Sequence, residues 1–527
     1  MSDALRTNQA AVATHHPFAT QTARRILQNG GNATDAAVAA MATLCVIVPG
    51  SVGIGGYGGC MIAYDAATKR THALEFNTRA PLQFRPELYA CDPKPKSMFG
   101  YLAISVPAII SGLAKALKDL GTKTWAEVTQ PAIEFAENGF EVDAHNRCVL
   151  EMWLKTADDL SKKAHFKNGH IPNVGDRWVQ CDLAKTLRTI AKDGPESFYQ
   201  GELPQRIVKQ IRAHGGILSE KDFAQYEARA VEPISLDYRG YKVLGLPPTS
   251  GTITTFQLLQ TLEQFDVGSF EPWSAPYLHV VAEICKSIWP DRDKLGDPGF
   301  VPVPYHELLN PTLASSRATQ IRQRDIATGV EAKIDDMPHT CNVAVTDRCG
   351  NFVSITATQG AQFGSGVCIE GTGIVLGHGM ARFEYNNPTH PNRPAPGKRP
   401  VHNMVPALLF KDDKCIAAMG LPGGTRIPTV TAQLVVSLVD FQATAEQAVH
   451  ATRVHCEGPE PLIISKDITK QTASELEAMG HTLKYGEHAL GTAVMLGGPA
   501  NVVRIDDEGQ LDAASNASHD AGEVLNS

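Results

Sequence analysis

Thr340-Cys-Asn-Val-Ala-Val-Thr346, Asp347-Arg-Cys-Gly-Asn351 and Phe352-Val-Ser-Ile-Thr-Ala-Thr358 follow one another without a break. They read as a hairpin of two half-buried strands, alternating and rich in β-branched residues, joined by a turn of Asp, Gly and Asn. Ahead of them, Ala318 to Pro338 is polar and charged and reads as a solvated linker. A polar linker running straight into a strand headed by threonine is the local layout that self-cleavage needs. A threonine hydroxyl is a weak nucleophile without a base beside it. One solution makes the threonine the first residue of a chain, so that its own α-amine, of pKa about 8, is the base. Thr340 is internal, so the chain would have to be cut between His339 and Thr340. Taken alone, a threonine at this place also suits a strand for its β propensity.

Moving outward, Gly420-Leu-Pro-Gly-Gly-Thr-Arg-Ile427 follows a strand-like run, Cys415 to Met419, and precedes a helix expected over Pro428 to Phe441. Two adjacent glycines there can turn backbone N–H groups toward a developing oxyanion, or simply make a turn that requires φ > 0. A further helix is expected over Ala445 to Arg453, and strands over Gly373 to Leu376 and Ala407 to Phe410. Toward the N-terminus, Pro17 to Val46 reads as two helices separated by Gly30-Gly31, the second capped by Asn32 or Thr34. Cys60 to Tyr64 and Thr71 to Phe76 alternate as a second hairpin, and Val106 to Arg317 is mainly helical. It is interrupted by paired strands over Pro233 to Leu246, around Tyr238-Arg-Gly. Strand pairs among helices point to a layered α+β body.

The composition narrows the classes. The chain has 527 residues, 43% apolar and 20% charged, with a formal net charge of -8. That is an ordinary globular balance, and it offers a nucleic-acid backbone no attraction. The apolar run Ala36 to Val48 is too short to span a bilayer, so no membrane association is expected. The eleven cysteines form no CxxC pair, and no basic and apolar leader opens the sequence. Both features point to reduced thiols and a cytoplasmic protein. Gly53-Ile-Gly-Gly-Tyr-Gly58 matches the dinucleotide fingerprint literally, but a strand rather than a helix follows it, so it reads as a packing turn. His15-His16 and His306-Glu307 lack metal-ligand spacing. No cofactor and no metal are expected.

In their order along the chain, these segments resemble the γ-glutamyltransferase (gamma-glutamyltranspeptidase) family of N-terminal nucleophile hydrolases, over roughly residues 10 to 515. The resemblance is carried by Ala11 to Thr20, Asn29 to Ala40 and Val52 to Gly59. Pro247-Pro-Thr-Ser-Gly251, Leu295-Gly-Asp-Pro298, Thr340 to Thr358, Lys398-Arg-Pro400 and Pro422 to Ile427 continue it. It implies an αββα fold of two stacked antiparallel sheets between helical layers. It also implies a precursor cut into a large subunit, 1–339, and a small subunit, 340–527, intertwined in one domain. A homodimer of such processed heterodimers is one assembly consistent with this. Carried over by the resemblance, Thr340 is the nucleophile, Thr358 its hydrogen-bonding partner, and Gly423 and Gly424 the oxyanion hole. The substrate is a small-molecule amide.

The departures from the family pattern bear on the substrate. Where the family holds the glutamate carboxylate with the arginine of an Arg-Glu-x-Ala-Pro motif, this chain reads Asn77-Thr-Arg79-Ala-Pro81. Where the family grips the ammonium with an aspartate pair, it reads Ala381-Arg382. A Ser-Ser pair is replaced by His402-Asn403, and Glu384 to Gly397 is shorter than the usual lid. An arginine repels an ammonium and suits a carboxylate. The expected acyl group therefore ends in a carboxylate without the amine, oxamate-like or glutaryl-like. Arg382 and Arg79 would grip it, with Asn77, His402 and Asn403 as further binding residues. The alternatives are a true γ-glutamyltransferase with a rearranged donor site, and an inactive scaffold that kept the fold.

Overall fold

The computed structural model describes residues 9–90, 93–166, 170–323, 339–458, 460–486, 496, 498–517 and 521–525. Thirteen of its strands build two antiparallel sheets. In chain order they are β1 (Ala10–Thr14), β2 (Gly58–Asp65), β3 (Arg70–Asn77), β4 (Arg229–Val231), β5 (Ile234–Tyr238), β6 (Tyr241–Gly245) and β7 (His339–Thr346). Then follow β8 (Phe352–Gly360), β9 (Ala407–Lys411), β10 (Lys414–Gly420), β11 (Asn501–Ile505), β12 (Leu511–Ser515) and β13 (Gly522–Leu525). The first sheet runs β13-β1-β7-β8-β2-β3-β4 and the second β12-β11-β10-β9-β6-β5. Strands from before and after residue 339 are neighbours in both sheets.

Period-2 alternation sorts the side chains of each strand onto two faces. Cys341, Val343 and Val345 of β7, with Val353, Ile355 and Ala357 of β8, pack against a helical layer that includes Ala33–Ile47. That helix is buried on every side, which explains its alanine-rich, nearly non-amphipathic sequence. Asn32 caps it, accepting from Asp35 N while Asp35 accepts from Asn32 N. Ala344 and Phe352 point the other way and meet Leu408 and Ala418 of the second sheet between the two layers. On its outer face the second sheet packs under the helices Thr252–Leu262, Ala275–Ile288 and Ile427–Val439. The order is therefore helix, sheet, sheet, helix.

The two hairpins, the Gly30-Gly31 break and the helices after Ala33 and Ile427 lie where the sequence placed them. Gly58 and Gly59 open a strand, and a Cβ on Gly59 would lie 2.2 Å from the Phe76 ring. Within the Gly53–Gly58 run a Cβ on Gly55 would lie 2.3 Å from Val375 O, so the run is a close-packing turn. One expectation changes: Ala318 to Gln323 is not linker but the end of a helix, Pro311–Gln323. Ala314 and Ala318 bury its inner face, and the Arg317 guanidinium pairs with Asp291. The rest of the expected linker, residues 324–338, lies outside the described residues, as does 1–8. No helix among the described residues is long and apolar enough to cross a membrane.

Candidate active site

The hairpin β7–β8 carries an irregularity at its open end. Cys341 pairs with Ala357, but His339 pairs with Gly360, so Thr340 opposes two residues, Thr358 and Gln359. This bulge interrupts the pairing of Thr358 with β7, while Thr358 stays paired with Gly58 of β2, and its hydroxyl lies at the His339–Thr340 junction. Thr340 Oγ1 donates to Thr358 Oγ1 at 3.1 Å. Thr358 Oγ1 in turn donates to the His339 carbonyl at 2.6 Å and accepts from Gly360 N at 2.9 Å. The Thr358 hydroxyl thus uses its one donor and both acceptor positions, two of these three bonds being to His339 and Thr340.

Gly360 is held open by necessity. Its φ is +102°, and a Cβ there would come within 2.1 Å of the His378 ring. His378 is fully buried; Nε2 accepts from Ala361 N at 2.7 Å and Nδ1 donates to Met98 O at 3.2 Å. Burial, reinforced by the Arg382 charge, pulls its pKa down to about 3, so the ring stays neutral and keeps that acceptor. Sequence reasoning missed His378. Its only signal is its place one turn before Arg382, beside an expected substrate residue.

These groups face a small cavity of about 40 Å³. Its lining includes Thr340, Thr358, Gly360, Arg382, Asn403, Gly424 and Thr425, and Arg382 is the one Arg, Lys, Asp or Glu side chain among them. Asn392 holds the Arg382 backbone, donating from Nδ2 to Arg382 O at 2.7 Å while its Oδ1 accepts from Val401 N at 2.9 Å. Glu384 to Gly397 thus folds back onto the arginine. Gly423 and Gly424, at φ +154° and +58°, turn the chain from β10 into the helix Ile427–Val439. Gly424 lines the cavity, and Gly423 is its buried neighbour. Beside them Thr425 hydrogen-bonds Glu457, which also receives His455 Nε2 at 3.1 Å.

The other expected binding residues are distributed differently. Asn403 lines the cavity, and its Oδ1 accepts from the half-buried Arg292 guanidinium. Burial lowers the Arg292 pKa to about 10, still far above neutrality. Asn77, His402 and Arg79 are not among the cavity's lining residues. Asn77 is fully buried and donates from Nδ2 to Pro400 O at 2.6 Å and Thr249 Oγ1 at 3.1 Å. His402 Nδ1 accepts from Met404 N at 3.2 Å, and burial pulls its pKa down to about 4 although the Glu75 carboxylate opposes this. The Arg79 guanidinium hydrogen-bonds Gln225 O and lies 5.2 Å over the Tyr226 ring. Asn77, through Thr249, and His402 lie beside Glu75, a buried carboxylate that accepts from Thr249 Oγ1 and pairs with Arg229. The structure thus brings Arg382 to the threonine pair and leaves Arg79 outside.

Comparison with known proteins shows the family. The gamma-glutamyltranspeptidase family model matches residues 19–524. The glutathione hydrolase proenzyme of Escherichia coli (strain K12) is 34% identical over 521 residues, covering 94% of this chain and 89% of that one. The acylase ACY 1 proenzyme of Pseudomonas sp. (strain SE83) is 33% identical over 526 residues, 96% and 92% of the two chains. Among solved structures, cephalosporin acylase from Bacillus halodurans superposes with a TM-score of 0.87 at 28% identity, over 100% of this chain and 97% of that one. The chain belongs to the gamma-glutamyltranspeptidase family and is an enzyme of the N-terminal nucleophile amidohydrolase and acyltransferase type.

Proposed function

We propose that this chain is a proenzyme that cuts its own His339–Thr340 bond. It then uses Thr340 to hydrolyse amides whose small acyl group ends in a carboxylate. The observation that carries the first part is the hydrogen-bond relay Thr340 Oγ1, Thr358 Oγ1, His339 carbonyl. Thr340 Oγ1 attacks the His339 carbonyl carbon while the Thr358 hydroxyl polarises its oxygen. The C–N bond breaks, the nitrogen keeps the proton lost by the hydroxyl, and an ester joins His339 to Thr340. Water hydrolyses that ester and leaves segments 1–339 and 340–527, the second beginning with a free α-amine.

The same atoms then serve the substrate. The amine of Thr340 takes the proton from its own Oγ1, which attacks the amide carbonyl. The leaving amine departs with that proton, and water resolves the acyl-threonine ester. The N–H groups of Gly423 and Gly424 are assigned to the oxyanion, and Thr358 orients the nucleophile. Arg382 is assigned to the acyl carboxylate, as the one side chain of Asp, Glu, Lys or Arg type that the described residues place on the cavity wall. With Asn403 Oδ1 engaged by Arg292, Asn403 is left to act as an NH₂ donor. The network of Glu75, Asn77 and His402 is assigned to support of the loop that carries Asn403.

Among the described residues the cavity wall carries an arginine and no carboxylate to pair with the ammonium of a γ-glutamyl group. This supports an acyl group of the oxamate or glutaryl kind over γ-glutamyl transfer, which the glutathione hydrolase relatives would otherwise favour. The test is a panel of matched amides on purified protein. Oxamate, a glutaryl anilide and a γ-glutamyl anilide would be compared by kcat/KM. Faster turnover of the acyl groups without an amine is the expected result, and a preference for the γ-glutamyl anilide would overturn the assignment of Arg382.

A further inference from the structure

Away from this cavity, the helix Ala275–Ile288 carries His279 and Glu283 one turn apart, and His481 is packed against them. His279 Nδ1 and His481 Nε2 are 2.9 Å apart, and with a carboxylate oxygen of Glu283 the three atoms lie within 4.8 Å of one another. The second nitrogen of His481, Nδ1, lies 2.9 Å from Glu460 Oε1. That contact sets Nδ1–H as donor to the carboxylate and turns the Nε2 lone pair toward His279. Carboxylates behind metal-bound histidines orient them in this way.

The charges leave room for a cation. Lys286 Nζ lies 2.6 Å from Glu283 Oε1 and 2.7 Å from Glu460 Oε1, and its side chain is almost wholly buried. Two carboxylates and one ammonium leave one negative charge, which a bound cation would offset. The neighbouring Cys456 thiol supplies no further charge, because burial pushes its pKa up to about 12. We propose that His279, Glu283 and His481 form a binding site for a divalent transition-metal ion of the zinc type. Two imidazole nitrogens and one carboxylate oxygen suit such an ion better than calcium or magnesium, which take all-oxygen shells. Binding replaces the contact between His279 Nδ1 and His481 Nε2 with two bonds to the ion. Half-buried His279 gives the site its access.

His279, Glu283 and Lys286 precede Thr340, whereas Glu460 and His481 follow it. On the processing reading above, the ion would tie the two segments together after the cut. The site itself does not depend on that reading. The experiment is titration of metal-stripped protein with Zn²⁺ against a chromogenic chelator, on the wild type and on uncut Thr340→Ala. Expected are one ion per chain in both, and at least a tenfold loss of affinity in His279→Ala and in Glu283→Gln. Circular dichroism would show that these variants keep the fold. Absence of saturable one-to-one binding, or equal binding by parent and both variants, would overturn the site. Binding by a wild type that stays uncut would support the site while removing the processing reading.

Discussion

Replacing Thr358 by valine is the most informative single change at the junction, because it removes one hydroxyl and keeps the shape. That hydroxyl makes three contacts: 2.6 Å to the His339 carbonyl, 3.1 Å to Thr340 Oγ1 and 2.9 Å to Gly360 N. The Thr340 hydroxyl can rotate to another acceptor, but the Gly360 N–H and the His339 C=O are fixed. Each buried group left without a partner costs about 1–3 kcal/mol of folding stability. The larger effect falls on the reaction. A donor aimed at a carbonyl oxygen that gains negative charge contributes about 2.7–4 kcal/mol to the barrier, a factor of roughly 10²–10³. The assay is the fraction of full-length chain remaining with time after purification, read by intact mass, with thermal unfolding as the control for folding. Thr358→Val should be cut roughly 10²–10³ times more slowly than wild type, and Thr358→Ser, which restores the hydroxyl, should recover most of the rate. A folded Thr358→Val cut within threefold of the wild-type rate would refute the relay.

Three further outcomes follow from the same geometry. Gly360→Ala should lose at least about 1–3 kcal/mol in urea unfolding, because its φ is +102° and its Cβ would meet the His378 ring; His378→Ala in the same chain should recover part of the loss, and full additivity would count against the clash. Arg382→Met should lower kcat/KM for a glutaryl anilide by roughly 10- to 150-fold, the 1.5–3 kcal/mol of a charge-assisted hydrogen bond, while leaving an uncharged acyl anilide nearly unchanged, and equal losses on both would show that Arg382 does not meet the carboxylate. Buried His402 and His378, pulled down to about 4 and about 3, bind fewer protons folded than unfolded below the ordinary imidazole value of about 6.5; stability should therefore be full above about pH 6.5 and decline as the pH falls toward 4, and a flat unfolding free energy over that window would contradict their burial as neutral rings.

Much of this molecule was legible because its local signals agree with its tertiary structure. The alternation of Thr340 to Thr346 and Phe352 to Thr358, and the Asp347–Asn351 turn, describe a hairpin whose one face meets helices and whose other face meets the second sheet. Asn32, with Asp35 three residues on, announces a helix start in the same way. The strand Ala10–Thr14 was not legible. It is covered on both faces, so it shows no alternation, and its partners β7 and β13 lie hundreds of residues away. The helix reaching Gln323 was hidden by a polar outer face, since its burial rests on small Ala314 and Ala318. At the site, Thr340, Thr358, Arg382, Asn403 and Gly424 converge on one cavity. The position of Arg79 was not legible. Its sequence neighbours say nothing of the Gln225 carbonyl and the Tyr226 ring that hold it outside. His378 escaped for a related reason: its role depends on a bulge two strands meet to form, and no spacing in the chain encodes that.

The central claim is that Thr340 is made into an N-terminal nucleophile by the chain's own chemistry. Intact-mass measurement of freshly purified wild type beside Thr340→Ala tests it most directly. The account predicts two wild-type fragments, one ending at His339 and one starting at Thr340, and a Thr340→Ala chain that stays whole. A wild-type chain still uncut after prolonged incubation, or a Thr340→Ala chain cut at the same bond, would contradict it.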